Sequence, residues 1–137
     1  MEKVYEFLRN SNVCTIATSS NGNPRASIVE YHMLGNAIIF ATSPDSIKAQ
    51  NLKKNNRISM SVCSMPLFVT LDGKTTTPTE TEIASYNEQL FIRHPDFIDL
   101  FENTLMPPFQ YYKMVIEAVY FNDYSQGMAP VQVLKLS

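Results

Sequence analysis

The sequence predicts a mainly β domain with inserted helices, folded as a small closed or nearly closed antiparallel barrel. Two observations carry this. Runs rich in β-branched and aromatic residues recur along the chain, and tight-turn signals rather than long crossovers separate most of them. Helical patterns, in contrast, are confined to the N-terminus and two internal insertions. At 137 residues the chain suits one domain, and it carries no internal repeat, low-complexity segment or interdomain linker.

The elements follow in order. Val4, Phe7 and Leu8 lie at helical spacing between Glu2 and Asn10, which predicts a short opening helix. Val13 to Ser19 and Pro24 to Met33 are β-rich and flank Asn21-Gly22, a pair that tolerates the positive φ of a hairpin turn. Leu34-Gly35-Asn36 makes a second turn into a strand from Ala37 to Ala41, and a helix is expected from Pro44 or Asp45 to Lys54. From Arg57 to Ser64, Ile58, Met60 and Val62 alternate with polar residues, the period of a strand with one buried face. Pro66 opens another strand through Phe68, Val69 and Leu71 toward Gly73. Thr77 and Glu80 have capping-box spacing, so helices are expected from Pro78 to Phe91 and from Pro95 to Asn103, divided at His94-Pro95. Met106-Pro107-Pro108 should end that run. Tyr112, Met114, Ile116, Ala118 and Tyr120 then read as one face of a long strand, and Val131 to Leu136 as a last one.

Composition removes several functional classes. A formal net charge of −2 with scattered basic residues gives no electrostatic footprint for nucleic acid. No apolar run approaches the roughly 20 residues that cross a bilayer, and Met1-Glu2-Lys3 does not open a secretion signal. A cytoplasmic protein without a membrane partner is the expectation. Cys14 and Cys63 lack C-x-x-C spacing and read as reduced, half-buried thiols, and His32 and His94 form no metal-binding pattern. Nucleophile elbows, Walker loops and glycine-rich dinucleotide turns are all missing.

The segment from Phe40 to Leu52 is the most informative. An apolar strand ends in Thr42 and Ser43, and a helix begins with Ser46 and Lys48 in its first turn. The first amides of a helix have no internal acceptors and carry partial positive charge, so a phosphate suits them, and Lys48 adds a full charge. The same residues also read as an ordinary junction capped by Ser43 with Pro44 at the first helical position, and Asp45 would repel a phosphate.

The order of these motifs resembles the FMN-binding split-barrel family, also called pyridoxamine 5′-phosphate oxidase-like. Carrying the resemblance are Phe7-Leu8, Thr15-Ile16-Ala17-Thr18, Asn21-Gly22-Asn23-Pro24-Arg25, Phe40-Ala41-Thr42, Ser46-Ile47-Lys48, Asn51-Leu52, Asn55-Asn56-Arg57, the strand Ile58 to Val62, and Gly73. The likeness is close over the first half and holds in outline beyond it. It implies a split β-barrel homodimer with FMN in grooves at the subunit interface. By position, Arg25 and Lys48 would hold the phosphate, aided by Ser46 and Thr42. The backbone at Ser27, Ile28 and Val29 would border the isoalloxazine ring, with Ala41 nearby and Phe68 on the strand that the partner contributes. The implied activity is that of a flavin-dependent oxidoreductase acting on a small molecule, with NAD(P)H as a candidate electron donor. Tyr31, His32, Tyr111 and Tyr112 are candidates for the substrate side, against a plain core-packing role for the aromatics.

This chain departs from the true oxidases at Glu30, where they carry lysine, at Ile47, where they carry arginine, and at Phe68, where they carry glutamine. The segment from Asn122 to Gly127 does not match their basic C-terminal region. Oxidation of pyridoxine or pyridoxamine phosphate is therefore not expected. Other readings of such a groove are a flavin store or sensor without turnover, and a haem or deazaflavin site.

Overall fold

The structure is a computed structural model that describes residues 1–102, 109–125, 127 and 130–136. Helix α1 (Glu2–Arg9) leads into β1 (Val13–Ser20), β2 (Asn23–Leu34) and β3 (Ala37–Thr42). Helix α2 (Ile47–Lys54) precedes β4 (Arg57–Ser64) and β5 (Leu67–Thr76). Then come α3 (Glu80–Arg93), α4 (Asp96–Glu102), β6 (Gln110–Asp123) and β7 (Gln132–Lys135). The expected break at Met106 to Pro108 lies outside the described residues, as does Asn103.

All strand pairs are antiparallel, in the order β3-β2-β1-β4-β5-β6-β7, and an additional β3–β6 pairing closes six strands into a barrel. The mainly β class with inserted helices is thus the architecture found. Its two tight hairpins depend on backbone that few residues accept: Asn21, Gly22 and Gly35 all have positive φ.

Inward-facing side chains fill the barrel. Ile16, Tyr31, Ile38, Phe40, Met60, Val69, Leu71 and Met114 are almost fully buried, joined by Val4 and Leu8 from α1 and Leu52 from α2. A second cluster lies outside the barrel wall, where Tyr86 and Leu90 of α3 cover Ile39 of β3. The two helices therefore have different jobs. Helix α2 sends Leu52 into the main core, and α3 covers the outer surface of β3.

Four sequence expectations need correction. Helix α2 begins at Ile47 with Ser46 as its N-cap, not at Pro44 or Asp45. Ser43 to Asp45 are spent on a turn closed by the Ser46 amide donating to Ser43 O at 3.1 Å. Helix α3 begins two residues later than expected, because the capping box is Thr79 with Glu82 rather than Thr77 with Glu80. The Glu82 amide donates to Thr79 Oγ1 at 3.2 Å, and the Thr79 amide donates to Glu82 Oε1 at 2.9 Å.

The long strand β6 does not keep one face. Its register against β5 shifts between Asp72 and Gly73, so Asp72 faces Ala118 while Gly73 faces Ile116. The extra residue, Glu117, moves the buried set from Met114 and Ile116 to Val119 and Phe121, leaving Ala118 and Tyr120 on the other face. The cysteines, finally, are not alike. Cys14 is buried and burial pushes its thiol up to about 12, whereas Cys63 is exposed.

Candidate functional site

Strand β2 leaves one of its edges partly unpaired, and this opening positions the site. Residues Asn23 to Glu30 pair with β1, but β3 pairs with β2 only from Tyr31 to Leu34. Beyond Tyr31 the barrel wall splits: β3 runs on through Ala41 and Thr42 into the α2 turn, paired with β6 instead. Among the described residues no strand covers the second edge of β2 from Asn23 to Glu30. An uncovered edge presents backbone amides and carbonyls that a planar, hydrogen-bonding ligand can use.

Alternation places the side chains along this edge. Arg25, Ser27 and Val29 share the inward face of β2 with Tyr31, and Ile28, Glu30 and His32 face outward. Val29 is core and offers only backbone, whereas Ile28 is 73% exposed. Arg25 lies directly opposite Thr18 of β1, and opposed residues of an antiparallel pair project on the same face. Thr18 in turn accepts a hydrogen bond from Asn51 Nδ2 of α2 at 3.1 Å. The arginine of the hairpin and the middle of α2 thus meet at one residue, Thr18.

The start of α2 is built from hydroxyls. Ser46 Oγ accepts from the Ala49 amide at 3.2 Å and donates to Ser43 O at 2.8 Å. It also contacts the buried Thr42 Oγ1 at 3.3 Å. With its proton given to Ser43, Ser46 is the acceptor in that contact, so both hydroxyls are engaged in holding the turn. Asp45 is exposed. Lys48, at the second helical position, is half-buried, and the first helical amides remain beside it as donors. The donor set of Arg25, Lys48 and helix amides is what a phosphate ester requires. The residues present fit FMN on that account.

The remaining candidates separate cleanly. Tyr31 is core, its hydroxyl donating to Leu8 O at 2.7 Å, and Tyr112 stacks on Phe40 at 5.2 Å. Tyr111 donates to Asn87 Oδ1 at 3.0 Å and packs edge-on against Tyr86. Each has a packing role. His32 faces outward, with Nε2 3.2 Å from Ser85 Oγ of α3, and burial, with Arg93 nearby, lowers its pKa. Ala41 packs with the α3 cluster. Phe68 of β5 and Ile28 of β2 line one groove of about 430 Å³ on the outer face, together with Val13, Cys63 and Thr70.

Sequence reading missed the residues that fasten α2 to β1. Besides the Asn51–Thr18 bond, Asn55 Nδ2 donates to both Ser19 O and Ser19 Oγ at 3.2 Å. Asn51 and Asn55 are visible as motif residues, but their partners lie more than thirty positions earlier in the chain. No local pattern reports such a pairing.

The family model described as pyridoxamine 5′-phosphate oxidase matches residues 1–123. The chain belongs to the pyridoxamine 5′-phosphate oxidase family. Solved structures agree on the fold. A conserved hypothetical protein from Mycobacterium tuberculosis superposes with a TM-score of 0.75 at 18% identity, over 99% of this chain and 92% of that one. A haem-binding protein from Mycobacterium smegmatis gives 0.73 at 22% identity, over 98% of this chain and 57% of its own length. An FAD-binding protein from Mesorhizobium loti gives 0.70 at 16% identity, over 88% of this chain and 90% of that one. A comparison with curated proteins gave no match. Within the family frame, the departing residue Glu30 is held by His94, whose Nε2 lies 2.8 and 2.9 Å from its two oxygens. Arg93 Nε stands 3.8 Å away. Ile47, the second departure, is half-exposed at the helix start. No helix among the described residues is long and apolar enough to cross a membrane.

Proposed function

We propose that this protein binds FMN in the split beside β2 and serves as a dimeric flavin-dependent oxidoreductase for a small molecule. One observation carries the reading. Arg25 stands on the uncovered edge of β2 opposite Thr18, Thr18 is bonded to Asn51 of the helix that carries Lys48, and Ile28 is exposed on the outward face. A phosphate at one end and a planar ring along the other would be matched by these groups. Arg25 forms a fork for phosphate oxygens, Lys48 supplies a point charge, and the β2 backbone orients the ring. When bound, the flavin would supply hydride or electron transfer. No protein nucleophile is then needed.

A homodimer belongs to the same reading. Val13, Ile28 and Met65 are large apolar side chains that stand out in solvent on one copy, and the groove between Ile28 and Phe68 is open. A second subunit laid on this face would cover them and exclude water from the ring.

The purified protein should show flavin absorbance, with FMN identified by mass in the released fraction. Lys48→Ala should weaken FMN binding by roughly tenfold or more, the scale of a lost charge-assisted hydrogen bond. Flavin fluorescence quenching measures this, and equal affinity would remove Lys48 from the site. A haem spectrum instead of a flavin one would overturn the cofactor. Anaerobic bleaching of bound flavin by NADH or NADPH would distinguish an enzyme from a carrier.

A further inference from the structure

Helix α2 has eight residues, too short to hold its own position, so tertiary contacts must set where Lys48 lies. Two kinds of contact do this. Ala49 and Leu52 are buried, Leu52 within the main core, which fixes depth but tolerates rotation about the helix axis. Ser46 Oγ fastens the helix start to Thr42 Oγ1 of β3 at 3.3 Å. The directional contact from the body of the helix to β1 is Asn51 Nδ2 to Thr18 Oγ1, at 3.1 Å. Lys48 precedes Asn51 by three positions, so the two are neighbours on the helix surface. Thr18 is buried and faces Arg25 across β1 and β2. Asn51 and Thr18 therefore lie between the two cations in one continuous path: β2 hairpin, β1, α2.

We propose that Asn51, acting through the Thr18 hydroxyl, is the positioning residue that sets the separation of Arg25 and Lys48, and so makes the groove prefer a phosphorylated flavin over riboflavin. Neither side chain needs to touch the ligand. Without their bond the helix keeps Leu52 in the core and the Asn55 anchor to Ser19 at its far end. Its first turn keeps the Ser46 contacts to Thr42 and Ser43, and it turns about that point so that Lys48 moves away from Arg25. The loss should fall on the phosphate and spare the ring, which the β2 backbone borders independently of α2. This inference rests on the FMN reading above.

The test compares FMN with riboflavin, two ligands that differ only in the phosphate. Apoprotein is titrated with each, by flavin fluorescence, for the parent, Asn51→Ala, Thr18→Val and the double variant. Either single change should lower the FMN-to-riboflavin affinity ratio at least fivefold, and the double variant should lower it no further. Thr18→Ser, which restores a hydroxyl, should keep the parental ratio. A merely structural bond would weaken both flavins alike and leave the ratio unchanged, and that result overturns the inference while the FMN reading stands. Absence of flavin binding by the parent would overturn both. Should Asn51→Ala fail to fold, the contrast between Thr18→Val and Thr18→Ser decides the matter alone.

Discussion

A methyl group added at Gly73 would collide with the carbonyl oxygen of Val115 and lie 3.0 Å from its carbon. Both are backbone atoms that cannot swing aside. Gly73 stands at the register shift where β6 gains Glu117, and the strands come this close because nothing projects between them. Gly73→Ala should cost roughly 1–3 kcal/mol, toward the upper end because the obstacle is main chain. Chemical denaturation reads the change, and an unaltered midpoint would contradict the close approach. The glycine itself was visible in the sequence as a family feature, but its clash partner was not. The tyrosines illustrate the same limit in another way. Tyr31 and His32 are adjacent and look equally available, yet alternation sends one hydroxyl to Leu8 inside the barrel and the other side chain to Ser85 outside. Which face is inside depends on the pairing of β2 with β1, not on the two residues.

At the scale of elements, the helix starts were legible in kind but not in place. The stretch Thr77-Pro78-Thr79-Glu80-Thr81-Glu82 contains the capping-box spacing twice, and β5 runs to Thr76. Glu82 has a second partner that Glu80 lacks, Lys113 of β6, whose Nζ is 2.8 Å from Glu82 Oε2. That contact selects the later box. The hydrogen bond from Lys113 and the Thr79 amide together lower the pKa of Glu82. A carboxylate with a depressed folded pKa contributes stability that is present above its unfolded value, about 4.3, and is lost as pH falls through the folded one. Asp123, held down by Lys3 and the Ser125 amide, acts in the same direction. His32, whose folded pKa is lowered, likewise loses stability for the fold as pH drops below its unfolded value near 6.5. Stability should therefore decline from neutral toward acid pH. Glu82→Gln should flatten the segment below about pH 4.5, as thermal melts across pH would reveal. A variant with the parental acid profile would exclude Glu82 as a source.

For the whole molecule, the question is what covers the outer face of β1, β2, β4 and β5. Helix α3 meets β2 at Glu30 and His32, and beside that contact the face carries Ile28, Val13, Cys63 and Phe68 around a groove of about 430 Å³. If a second copy occupies it, Ile28→Asp should produce a monomer in light scattering at micromolar concentration, because an unpaired carboxylate would be buried in the interface. A parent protein that is already monomeric would refute the dimer. The barrel itself is held by pairings that span most of the chain, such as Ile38 with Met114 and Phe40 with Tyr112. These link residues more than seventy positions apart, and only their closure creates the split beside β2.

The sequence by itself determined the period-two strands, the Asn-Gly hairpin, the helix insertions and the family, because each is written in neighbouring residues whose local geometry is nearly self-sufficient. Tertiary structure decided where each element begins, which face of β6 is buried after Glu117, and how Arg25 and Asn51 of α2 come to meet at Thr18. Those outcomes depend on register between distant strands and on single hydrogen bonds across the fold. A shift of one residue in pairing reverses every side chain that follows, and no local pattern records that choice.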